Sequence, residues 1–156
     1  IPRSSPFSIW ERRILDRMEV KIAYGNELLP DAHGIREDVF VREQGFHNEF
    51  DEIDAVAWHT VIYDNGRPAA TGRAFLENDA WHIGRVAVRK EFRGKQYGAA
   101  VMQALERKIA ELGAENVGLS AQVQARGFYE KLGYEAHGGE YLDEHCPHVS
   151  MTKCLK

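Results

Sequence analysis

Apolar and polar positions change period several times along the chain, and each change marks an element. Glu19–Tyr24 (EVKIAY) reads as a first strand. In residues 31–45 the period becomes helical: Ile35, Val39 and Phe40 fall on one face, Asp31 is placed to cap the start and Gly45 to end it. Residues 47–55 (HNEFDEIDA) are acidic and aperiodic, which predicts a loop. Ala57–Tyr63 and Ala69–Leu76 are strand-like runs joined by Asp64-Asn65-Gly66-Arg67, a strong hairpin signal. A further turn at Asn78-Asp79 leads to another strand, Ala80–Val88.

The second half begins with the clearest helix, Gly98–Leu112. Val101, Met102, Leu105, Ile109 and Leu112 make one apolar stripe, and Gly113 is placed to stop it. Asn116–Ala121 follows as a short buried strand. A helix through Phe128, Tyr129 and Leu132 is closed by Gly133, and His148–Lys153 gives a final strand. The pattern predicts an α/β domain with a mixed sheet: an antiparallel meander, then helix–strand–helix–strand. Residues 18–156 form that domain. Residues 1–17, in which Trp10, Ile14 and Leu15 share one face of a short helix, read as an appendage: a native arm or an added leader before a start at Met18.

Composition narrows the chemistry. The 156 residues carry a net charge of -4, which argues against a general nucleic-acid or membrane-surface binder. No apolar run approaches the roughly 20 residues of a membrane span. The two cysteines, Cys146 and Cys154, are too few for a disulfide framework and fit plain thiols in a reducing, cytoplasmic setting. With His145 and His148 they match no zinc spacing, so no metal is expected.

Against this mildly acidic background, Gly84–Leu105 concentrates Arg85, Arg89, Lys90, Arg93 and Lys95 around Gly94 and Gly98. Arg93-Gly94-Lys95-Gln96-Tyr97-Gly98 lies between a strand and a helix start. Unpaired first-turn N–H groups, the helix dipole and close glycine backbone together favour a phosphate there. A P-loop is excluded, because no Gly-x4-Gly-Lys-Ser/Thr run exists. A dinucleotide fingerprint is excluded too, because the turn comes late and follows antiparallel strands.

The stretch GRVAVRKEFRGKQYGAAVMQAL resembles the acetyl-CoA-binding segment of the GNAT superfamily of N-acetyltransferases, a Val-Ala-Val strand followed by Arg/Gln-x-x-Gly-x-Gly/Ala at a helix start. LSAQVQARGFYEKLGYE resembles the family's second signature. REDVFVREQG, EFDEIDAVAWH and EYLDEHCPHVSM resemble its bacterial YjcF/ElaA-like branch. Gln96 stands where the family usually has glycine, and Gln122 where asparagine is commoner. The resemblance implies a GNAT-type fold and acetyl-CoA as acyl donor. It implies pairing of the pantetheine arm with the backbone of Val86, Ala87 and Val88. It further implies that amides of Arg93, Gly94, Lys95, Gln96, Tyr97, Gly98 and Ala99 hold the pyrophosphate, with Gln122 nearby and Tyr129 close to the sulfur.

Acetyl transfer to an amine needs a neutral amine, a donor for charge building on the thioester oxygen, and a proton for the leaving thiolate. Tyr129 suits the last role. His148 is the leading base, since an imidazole titrates near pH 6.5 and accepts a proton at neutral pH. Glu43, His59, His82 and a water chain stay open as alternatives. The acidic loop (Glu49, Asp51, Glu52, Asp54) reads as a solvated surface, or as an attractor for a cationic amine. The expectation is an acetyl-CoA-dependent N-acetyltransferase with an amine acceptor, for which a homodimer is a compatible assembly; a non-catalytic acyl-CoA-binding module on the same fold is the rival.

Overall fold

The computed structural model describes Ser8 and residues 17–156. The predicted face of Trp10, Ile14 and Leu15 lies outside the described residues.

Seven strands form one mixed sheet: β1 (Met18–Tyr24), β2 (Trp58–Asp64), β3 (Arg67–Glu77), β4 (Ala80–Val88), β5 (Asn116–Gln122), β6 (Glu135–Asp143) and β7 (Cys146–Cys154), in the order β1-β2-β3-β4-β5-β7-β6. The helices are α1 (Leu29–Arg36), α2 (Tyr97–Glu111) and α3 (Arg126–Lys131), and α1 continues as a π-helix over Glu37–Glu43. Neighbouring strands are antiparallel except β4 and β5, whose parallel pairing follows from the α2 crossover. The meander, its two hairpins and the mixed sheet are as the sequence predicts. Both tight turns carry two residues at positive φ, Asn65–Gly66 (52° and 84°) and Asn78–Asp79 (53° and 61°), the primed-turn geometry that matches strand twist.

Two expectations change. The segment 31–45 is not one α-helix: Pro30 stands in the first turn, the helix begins at Leu29, and Asp31 is inside it, accepting from the Tyr63 hydroxyl at 2.6 Å. From Glu37 the turns widen, so that the Gln44 N–H donates to Val39, five residues back, at 3.1 Å. The second change is β6, which the sequence pattern does not predict. Its residues EAHGGEYLD are almost all exposed on an edge strand, so no alternation marks it. Its pairing with β7 skips residues around Gly138 and Gly139.

Side chains alternate between the two faces of the sheet, which builds two cores. On one face Ile62, Ala70, Ala74 and Ile83 pack under Val101, Met102, Leu105 and Ile109 of α2. Gly72 makes this close approach possible, since a Cβ there would stand 2.6 Å from Val101 Cγ1. On the other face Ile35, Val39 and Phe40 cover Val61, Tyr63 and Ala87.

Candidate active site

The parallel ladder of β4 and β5 is short: His82 pairs with Gly118 and Ile83 with Leu119, and there it ends. Beyond that point the two strands part. The register of β4 against β3 also slips between Thr71 and Arg73, a bulge that places Arg85 at φ 51°. The backbone of Val86–Val88 on the side facing β5 therefore has no β5 partner. A cleft of about 1020 Å³ fills the opening. Its walls include Val86, Ala87, Val88, Arg93, Gly94, Gln96, Tyr97, Gly98, Ala99, Gln122, Tyr129 and His148, so every predicted site residue except Lys95 borders one space.

At one end of the cleft is the start of α2. Gln96 precedes it at φ 65°, a left-handed conformation that glycine adopts without strain, and Gly94 sits at φ 81°. No side chain caps the helix, and no acidic residue stands in its first turn. The first-turn N–H groups thus open toward the cleft with the positive end of the dipole behind them. Gly98 lets Phe128 of α3 pack at 3.1 Å from where a Cβ would stand.

The basic side chains of this turn are already engaged. Arg93 makes a bidentate pair with Glu43 at 2.7 and 2.8 Å, and its Nε donates to the Val88 carbonyl at 3.0 Å. Lys95 points to Asp64, 3.3 Å away, over the Phe92 ring. The Tyr97 side chain is buried and donates to the same Asp64 at 2.6 Å. What the turn offers a ligand is mainly backbone.

Tyr129 is buried at the cleft wall, edge-on to Phe128 and Tyr134, and no described residue hydrogen-bonds its hydroxyl. Burial pushes its pKa up to about 12, so the phenol stays protonated at neutral pH. His148 is also buried, and its Nδ1 lies 2.8 Å from the Cys146 carbonyl. A carbonyl only accepts, so Nδ1 is the donor, and in the neutral ring that leaves the lone pair on Nε2. Tyr141 lies face-on to the ring and hydrogen-bonds Ser120, and Phe46 meets it edge-on.

The other base candidates separate. His59 is outside the cleft, with Nε2 2.9 Å from the Asp54 carbonyl. Glu43 is held below its ordinary pKa, first by its hydrogen bond to Arg93, which makes it a poorer base. His82 borders the cleft but is stacked on Phe75.

The acidic loop is where sequence reasoning fails. Glu49 and Asp54 are not solvated; they are buried with Arg36 and Arg73. Arg36 donates to Glu49 at 3.0 Å and to Asp54 at 2.8 Å. Arg73 donates to Asp51 at 2.6 Å and to Asp54 at 2.8 Å. Arg85 reaches Glu49 at 2.7 Å. Burial would raise Asp54, but its hydrogen bonds to Arg36, His33 and Arg73 hold it well below the ordinary carboxylate range. At Glu49 burial outweighs Arg85 and Arg36, and its pKa is raised. Three guanidinium groups and three carboxylates neutralise one another, so the loop offers little net attraction to a cationic amine. The available signal was Arg73 itself, a charge set in the apolar run AATGRAF, which demands a buried partner.

The short parallel ladder and the uncapped helix start thus lie together at one cleft. Residues 32–155 match the family model described as acetyltransferase (GNAT) domain, and the chain belongs to that family. It is 38% identical over 139 residues to the uncharacterized N-acetyltransferase YjcF of Bacillus subtilis (strain 168), covering 87% of this chain and 99% of YjcF. Among solved structures, Escherichia coli ElaA superposes with a TM-score of 0.78 at 26% identity, over 87% of this chain and 99% of that one. An acyl-CoA N-acyltransferase from Pseudomonas aeruginosa shares the fold, with a TM-score of 0.79 at 24% identity over 88% and 99%. The chain is an acyltransferase, and acyl-CoA is the cosubstrate that the family implies. Among the described residues no helix is long and apolar enough to cross a membrane.

Proposed function

We propose that the protein transfers acetyl from acetyl-CoA to the primary amine of a small molecule or peptide, by direct attack in a ternary complex. The observation that carries this reading is the uncapped start of α2 opening on the cleft where β4 and β5 part. Amides of Arg93–Ala99 take the pyrophosphate, and the free edge of Val86–Val88 aligns the pantetheine arm, with Gln122 on the opposite wall. A β4 N–H on that edge stabilises charge building on the thioester oxygen.

Tyr129 protonates the departing thiolate; its raised pKa keeps it a donor throughout the neutral range. His148, through Nε2, takes the proton of the attacking amine. On this reading Arg93 and Lys95 shape the turn more than they bind phosphate directly.

The test is release of the CoA thiol from acetyl-CoA across amino sugars, polyamines, amino acids and peptide N-termini. At least one amine class is expected to drive release. Acetyl-CoA raising the melting temperature with no amine driving release would favour a non-catalytic binding module.

A further inference from the structure

Two consecutive side chains at the end of the π-helical segment reach in opposite directions across the cleft mouth. Glu43 grips Arg93, which itself holds the last carbonyl of β4, at Val88. Gln44 accepts from the Gln122 amide, the last residue of β5, at 2.6 Å; Gln122 in turn accepts from Gln124 at 2.6 Å. Further back on the segment, Asp38 pairs at 2.9 Å with Arg89, the residue after β4. One segment is therefore tied to both lips of the opening, beyond the point where the strands cease to hold each other.

We infer that Glu43 and Gln44 are positioning residues, a brace that fixes the gap between the ends of β4 and β5 and so the width of the acyl-CoA slot. The inference rests on the acyl-CoA reading above. Physically, nothing in the β4–β5 ladder past Ile83 and Leu119 sets that gap. Glu43 is the last residue of the π-helical segment and Gln44 the residue that follows it.

The test is calorimetric titration of acetyl-CoA into the full chain and its variants. Gln44→Ala and Glu43→Gln each weaken binding about three- to tenfold, the scale of one hydrogen bond. Gln44→Met, which keeps the bulk without the acceptor, matches Gln44→Ala. Because Gln44 acts through Gln122, adding Gln44→Ala to Gln122→Ala costs nothing further. Arg42→Gln, on the same segment but paired only within it, leaves binding unchanged. Melting temperatures recorded alongside separate a loss of fold from a loss of positioning. Unchanged affinity in both Gln44 variants, or additive losses with Gln122→Ala, overturns the brace. If the wild type does not bind acetyl-CoA at millimolar concentration, the acyl-CoA reading fails and the brace falls with it.

Discussion

The two faces of the sheet solve the problem of charge in opposite ways. On the α2 face the groups that border the cleft are backbone N–H donors at a helix start and a splayed strand, while Arg93 and Lys95 are paired with Glu43 and Asp64. On the α1 face the charges are side chains, buried and paired among themselves: Arg36, Arg73 and Arg85 against Glu49, Asp51 and Asp54. A backbone site of the first kind needs only glycines, a helix start and one irregular residue. A site of the second kind exists only once the chain has folded. The difference also divides what mutation should do: breaking the buried charge network should cost mainly stability, and changing the groups proposed to act in the cleft should cost mainly function.

The largest expected effect is on the buried network. Asp54→Ala leaves the Arg36 and Arg73 guanidinium groups short of a partner in the interior and should destabilise by about 3–5 kcal/mol, read by denaturant unfolding. Unfolding followed across a series of pH values should show the sign of the Asp54 contribution. A carboxylate held low in the fold contributes stability above its ordinary value of 3.8, and that stability is lost as pH falls through the folded value. Asp54→Asn should therefore flatten the acid limb of the wild-type curve. Glu49, with its raised value, works the other way and costs stability as pH rises past its ordinary 4.5.

Next in size, Tyr129→Phe should lower kcat about a hundredfold while leaving acetyl-CoA affinity nearly intact, the signature of a group acting only in the chemical step. Equal losses in affinity and kcat would return Tyr129 to a packing role. His148→Gln should lower kcat while leaving acetyl-CoA affinity nearly intact; an unchanged kcat would pass the base role to another group or to water.

The smallest effect is at Gln96. A non-glycine residue at φ 65° carries strain of about 1 kcal/mol, so Gln96→Gly should be neutral to slightly stabilising. A clear loss of stability would mean that the Gln96 side chain contributes more than its backbone costs.

What was legible follows the same division. The meander, α2 and the glycine-bearing turn before α2 depend on local period, turn residues and a helix start, and all three can be read along the chain. The irregularity at Gln96 was legible too, as a missing glycine. The π-segment was not, because Ile35, Val39 and Phe40 fit either winding. β6 was hidden by Gly138–Gly139 and by exposure on both faces, yet it carries Tyr141, which lies over the His148 ring. Glu49 and Asp54 looked like solvated charge because their partners lie on α1, β3 and β4. No spacing within the loop encodes those partners.

In the proposed reaction a backbone-built turn holds the cofactor's phosphates. The most direct test is a pair of titrations, acetyl-CoA and acetyl-pantetheine, the second lacking every phosphate. Acetyl-CoA should bind at least about thirtyfold more tightly, and that preference should survive Lys95→Ala. Equal binding of the two ligands, or a preference that vanishes with Lys95→Ala, would contradict the account.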